Sequence, residues 1–208
     1  MTQKFLLALL LPALAVDAQS VPINTGVCMN AQETELIASV NAYRATNGLG
    51  PIAISYWLSS TAQWHAWDLT ENNPVGGSCN MHSWSTARPT LWQAVCYTGN
   101  GSASGMWHKP RQISGNSYNS NGYENAASSG TSISAATALG LWQNSSAHAD
   151  VILNRGVWAG QTWRGMGVGI VGGYAVLWFG TLLDSAGNMS PCQSGGGPID
   201  EVFSNTFG

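Results

Sequence analysis

Toward its C-terminal end the chain reads GMGVGIVGGYAVLWFG over residues 165–180. Two apolar runs of strand length are separated by Gly172-Gly173, and a two-residue glycine link is a strong short-range sign of a β-hairpin. An apolar hairpin has to be covered, and the earlier part of the chain supplies the cover. A helix is expected from Ala31 to about Asn47, with Asn30 as its cap, Glu33 at the third position, and Leu36, Ile37, Val40 and Tyr43 on one face. Gly48 would end it. A second helix is expected from Tyr56 to about Thr70, with Trp57, Leu58, Ala62, Ala66 and Leu69 inward. His65 falls between those inward positions and reads as a packed or hydrogen-bonded residue rather than a ligand. A third helix spans about Ser134 to Asn144, breaks, and restarts near Ser146.

Between the second and third helices the pattern is loop-rich. CNMHSW (Cys79–Trp84) reads as a short strand, Leu91–Tyr97 and Met106–Lys109 as helical turns, and ISGNSYNSNGYENAA as a long surface loop. Helices, a long middle, then a hairpin beside an earlier strand make an α+β domain with helices covering an antiparallel sheet.

The first 18 residues read as a signal peptide: Lys4, the apolar run Phe5–Val16, and the small-residue cleavage pattern Val16-Asp17-Ala18. The organisation expected is a signal peptide (1–18), an N-terminal segment (19–30), one domain (31–183) and a Gly/Ser-rich tail (184–208). No segment is long and apolar enough for a transmembrane span. Charged residues make up 8% of the chain, with a formal net charge of -3 and no basic stripe, which excludes nucleic acid as a partner. Cys28, Cys79, Cys96 and Cys192 are an even set in a chain read as exported, so two disulfides are expected. Three pairings are open. Cys79–Cys96, closing a local loop, with Cys28–Cys192, tying start to tail, is the favoured one. Sequons stand at Asn100, Asn144 and Asn188, which makes glycosylation an expectation in a host that glycosylates.

Five segments in order, ASVNAYRATNGLGPIAISYWLSSTAQWHAWDL, CNMHSW, GYENAA, LWQNSSAHADVILN and GMGVGIVGGYAVLWFG, resemble the CAP superfamily. That family joins cysteine-rich secretory proteins, insect antigen 5 and the plant pathogenesis-related proteins of group one. The resemblance runs from about Ala31 to Thr181. It implies a three-layer α-β-α sandwich with a central antiparallel sheet and a cleft carrying two His and two acidic residues. Carried onto this chain, those residues are His82 of MHS, Glu124 of GYEN and His148, which resembles the S-x-x-H helix start of the bacterial-type branch. The fourth member is usually a Glu three residues after the helix Trp. Here Ser145 stands at that spacing from Trp142, so the second carboxylate is missing from the cleft.

Chemistry extends this expectation. With Ser146 as cap, His148 enters the first helical turn, where the dipole favours the neutral imidazole that binds metal. A strand His82, a loop Glu124 and a helix His148 would form a His₂Glu set for Zn²⁺ or another divalent cation, leaving one position for water. His108 reads as an exposed loop residue, and Ser83 points away from His82 on a strand, so the two make no nucleophile–base pair. No nucleophile elbow, H-E-x-x-H helix or phosphate-cradling loop is present. Trp84, Trp107, Trp142 and Trp178 read as core rather than as a ligand platform.

The favoured function is a secreted, monomeric binding module whose cleft holds a cation and whose grooves take a lipid, sterol or extracellular protein. The alternative is a zinc-dependent hydrolase or peptidase with Glu124 as general base. A third reading is a wall or matrix protein whose His cluster only stabilises the fold. Hydrolysis needs an activated water and a stabilised oxyanion, and the sequence supplies no second proton-transfer group, so binding is preferred.

Overall fold

The computed structural model describes residues 28–99 and 104–193; the signal-peptide reading, Asn100 and the tail beyond Gln193 lie outside them. Three seven-residue strands, β1 (Gly122–Ser128), β2 (Gly165–Val171) and β3 (Tyr174–Gly180), form one antiparallel sheet in the order β1-β3-β2. Val171 pairs with Tyr174, so the predicted Gly172-Gly173 link is the hairpin turn, and Gly172 takes a positive φ of 54° there.

Helix α1 (Ala31–Thr46) begins with the predicted capping box: the Asn30 side chain accepts from Glu33 N–H, and the Glu33 carboxylate accepts from Asn30 N–H. The same carboxylate also accepts from Gln63 Nε2 and from Ile170 N–H, so one buried side chain ties α1 to the next helix and to β2. Helix α2 (Tyr56–Asn72) starts at Ser55, whose Oγ accepts from Leu58 N–H and donates to Asp184. The short helices α3 (Ser104–Trp107) and α4 (Lys109–Ile113) precede β1; α5 (Ala135–Gln143) and α6 (Ser146–Ile152) follow it.

Strand alternation divides the interior into two cores. Ala175, Leu177 and Phe179 pack with Leu36, Val40, Ala138, Trp142 and Ile152 of the helices α1, α5 and α6. Val176 and Trp178 pack with Leu58, Ala62, Ala66, Trp84 and Trp92 on the α2 side. Trp84, Trp142 and Trp178 are buried as expected, whereas Trp107 is partly exposed.

What sets the height of α2 above the sheet is the glycine pattern of β2. A Cβ on Gly167 would stand 2.0 Å from the Ser59 backbone nitrogen, and one on Gly169 would stand 2.3 Å from the Ala62 carbonyl carbon. Glycine inside a strand marks close approach of another backbone. Here that backbone is the helix itself.

Both favoured disulfides are present, Cys28–Cys192 and Cys79–Cys96. Three local expectations are corrected. Residues 79–84 form no strand: His82 sits in a turn, and only isolated bridges flank it, Cys79 to Gly76 and Trp84 to Val95. Residues 91–97 are extended rather than helical beyond Trp92, because Val95 and Tyr97 pair back onto that turn. The second half of the supposed surface loop is β1, whose Asn and Ser content hid a segment that β3 buries. Glu124 is therefore on a strand and His82 on a turn, the reverse of the expected placement.

Gly167→Ala and Gly169→Ala are each expected to lower unfolding stability by roughly 3 kcal/mol, the upper end for overpacking, because a helix backbone cannot swing aside as a side chain can. Gly160→Ala, with nothing within 4 Å of its added methyl, is expected to stay within about 0.5 kcal/mol. Urea denaturation of the three variants checks this.

Candidate functional site

By lying flat on β2, α2 delivers His65 to the level of β1. His65 Nδ1 is 2.6 Å from Glu124 Oε2, and both side chains are fully buried. Glu124 Oε1 is 2.6 Å from His82 Nδ1, and the His82 side chain keeps 21% of its exposure. Burial alone would raise the Glu124 carboxyl, but the charge of His65 and the hydrogen bonds from both imidazoles hold it down at about 2. It is thus a carboxylate, and both rings donate to it.

The other ring nitrogen of His65, Nε2, is 3.0 Å from the Ser83 carbonyl oxygen, which can only accept. Both His65 nitrogens face oxygens that accept, so each is placed to donate. The ring stacks on Trp84 at 4.2 Å between centroids and 9° between planes. One helical turn on, Asp68 accepts from Ser85 N–H at 2.8 Å and from the Ser85 hydroxyl. The turn that carries His82 is therefore gripped residue by residue from α2.

His82 gives Nδ1–H to Glu124 and leaves Nε2 for the cleft. Burial works against its charged form, yet the hydrogen bond and charge of Glu124 prevail and raise its pKa. Tyr97 stands edge-on to the ring at 5.3 Å. Opposite is His148, the third residue of α6, whose Nδ1 lies 2.9 Å from Ser145 Oγ and whose carbonyl accepts from Asn125 Nδ2 at 3.0 Å. Its pKa is lowered, first by burial and then by repulsion from His82, so it stays neutral. The direction is the one read from the sequence. The causes differ, and the N-cap is Ser145, with no side-chain capping bond, instead of Ser146.

The structure brings His82, Glu124, His148 and Ser145 to one place, but it does not join the first three as ligands. Among the described residues no group of three or more His, Cys, Asp or Glu side chains is disposed to hold a metal ion. Each Glu124 oxygen already accepts a short bond from a ring nitrogen, and the side chain is sealed from solvent. The residues do not fit a His₂Glu set. Ser83 is buried, its hydroxyl accepting from Tyr97 N–H, and is no nucleophile. His108 is half-buried at the start of α4. The sequence reading missed His65 as a member of the site. Its inward position was visible, and a buried imidazole needs partners for both nitrogens, which was the available signal.

The folded chain is similar to an extracellular protein containing a SCP domain from Bacillus anthracis, at 19% identity and a TM-score of 0.49 over 73% of this chain and 40% of that one. It is similar also to a cysteine-rich secretory protein from Staphylococcus aureus, at 16% identity and a TM-score of 0.45 over 73% of this chain and 38% of that one. An outer surface protein from Borrelia burgdorferi matches at 18% identity and a TM-score of 0.46, over 76% of this chain and 98% of that one. The chain thus spans less than half the length of the first two. No protein-family model and no curated protein matches the sequence.

Removing one partner of a buried pair strands the other charge. Glu124→Ala is expected to cost about 3–5 kcal/mol in urea unfolding. Because folding lowers the Glu124 pKa from 4.5 to about 2, its contribution is complete above pH 4.5 and lost as pH falls toward about 2. Because folding raises the His82 pKa, its contribution is complete below 6.5 and lost as pH climbs through the higher folded value. The wild-type stability profile against pH should therefore fall on both sides, and the Glu124→Ala profile should be flatter on both.

Proposed function

We propose that the chain is an exported protein of the CAP type, with the helices on either side of its sheet forming a three-layer α-β-α sandwich, and that its cleft binds a ligand rather than hydrolysing one. One observation carries the reading. Glu124, the acidic residue expected to act in the cleft, is buried, ionised and committed through both oxygens to imidazoles. It has no oxygen aimed at a water that it would activate. Where a second carboxylate is expected, the Ser145 hydroxyl pairs with His148 instead. What remains toward solvent is a pair of histidines and the Tyr97 ring, a surface suited to hydrogen bonding and apolar contact.

Export is supported by the leader-like first residues and the two disulfides, which persist in oxidising compartments. A lipid, sterol or extracellular protein is the proposed ligand class. Among the described residues no helix is long and apolar enough to cross a membrane. Leu182 and Leu183 are 41% and 57% exposed, immediately before the Asp184 that caps α2, and they add apolar surface for such a partner.

The test is a paired one on purified full-length chain. Peptide and ester substrates should be cleaved no faster than in blanks, with or without Zn²⁺, while a sterol, a fatty acid or an extracellular protein saturates at one per chain. Cleavage that His82→Ala abolishes would overturn the binding reading in favour of a hydrolase.

A further inference from the structure

A buried carboxylate needs positive charge beside it. In a metal-holding cleft the ion supplies that charge; in this chain a histidine of α2 stands against the carboxylate. His65 Nδ1 lies 2.6 Å from Glu124 Oε2, and its Nε2 lies 3.0 Å from Ser83 O. Glu124 Oε1 in turn holds His82 Nδ1 at 2.6 Å. These three bonds and the peptide from His82 to Ser83 close a ring: His65 to Glu124, Glu124 to His82, along the backbone to Ser83, and back to His65. The indole of Trp84, the next residue, lies flat on the His65 ring, and a cation over an indole face is favourable.

We propose that His65, as an imidazolium, is the built-in counter-cation of Glu124 and the positioning residue of the cleft, taking the place a divalent cation would fill and making the cleft geometry independent of metal. The proposal shares its site with the binding reading, but it concerns how the site is held, whatever the site binds. It assigns three things. Glu124 is not a metal ligand. The neutral form of His82 is fixed as the tautomer with its proton on Nδ1. Any divalent cation that does bind in the cleft is held without Glu124.

Three measurements on folded, disulfide-bonded full-length chain test it. Long-range ¹H–¹⁵N correlation of the histidine rings in the wild-type chain, at about neutral pH, should show protons on both His65 nitrogens. A bare His65 nitrogen overturns the proposal. In a crystal of the chain soaked with Zn²⁺ alone, no ion should stand within ligand distance of Glu124, whose two oxygens should stay on His65 and His82. An ion bound to a Glu124 oxygen overturns it.

His65→Phe keeps a ring on Trp84 but removes the charge and both bonds. Read at a pH above the His82 transition, that variant should lose the single-tautomer signature of His82 while His148 keeps its own; an unchanged His82 signature would reduce His65 to a packing residue. Should His65→Phe fail to fold, the first two measurements decide alone. None of the three uses a lipid, sterol or protein, so the binding reading and this one fail separately.

Discussion

The Glu124 carboxylate has no exposure to water, and much of the molecule answers that fact. Two imidazoles reach it from different parts of the chain, 59 residues away at His65 and 42 at His82. Neither arrives without its own support. His65 is held by Ser83 and Trp84, and His82 belongs to a turn that Asn80, Tyr97 and the Cys79–Cys96 bridge hold in shape. Removing the charge from the centre would leave these supports with nothing to aim at. Removing the supports would strand the charge.

The approach of α2 makes this possible. A helix resting on ordinary strand side chains is held off the sheet by their length. On β2 the α2-facing positions are Gly165, Gly167 and Gly169; at Gly167 and Gly169 the strand meets the α2 backbone at Ser59 and Ala62 directly, and at Gly165 it meets the Ser55 and Leu58 side chains. The side chains of α2 that reach past β2 then arrive at β1 and the turn at residues 82–85. Packing and electrostatics are thus one design. The glycines lower the helix, and the lowered helix places an imidazolium against a strand carboxylate.

Much of this was legible beforehand. The glycine-linked hairpin, the Asn30–Glu33 capping box and both helix faces follow from local chemistry, and the disulfide pairing favoured among the three open ones is the one present. Strand β1 was not legible, because GYENAAS carries two Ala, an Asn and a Ser and owes its extended form to pairing with β3. The turn at His82 was missed for the converse reason: CNMHSW alternates in a strand-like way, while its neighbours across α2 hold it folded back. The resemblance brought His82, Glu124 and His148 to one cleft. It could not say that the carboxylate faces inward, since that depends on His65, whose partners lie on two other segments.

The closed ring around His65 also makes the two walls of the cleft unequal. One wall, the turn at His82, is braced through three consecutive residues and a covalent bridge. The other, at His148, hangs from a helix of seven residues that follows the break at Asn144, with one side-chain bond to Ser145 and one backbone bond to Asn125. Arg44 ties the far end of that helix to α1 through the Ile152 carbonyl. Whatever enters between them therefore meets one wall with many ties to the body of the molecule and one with few.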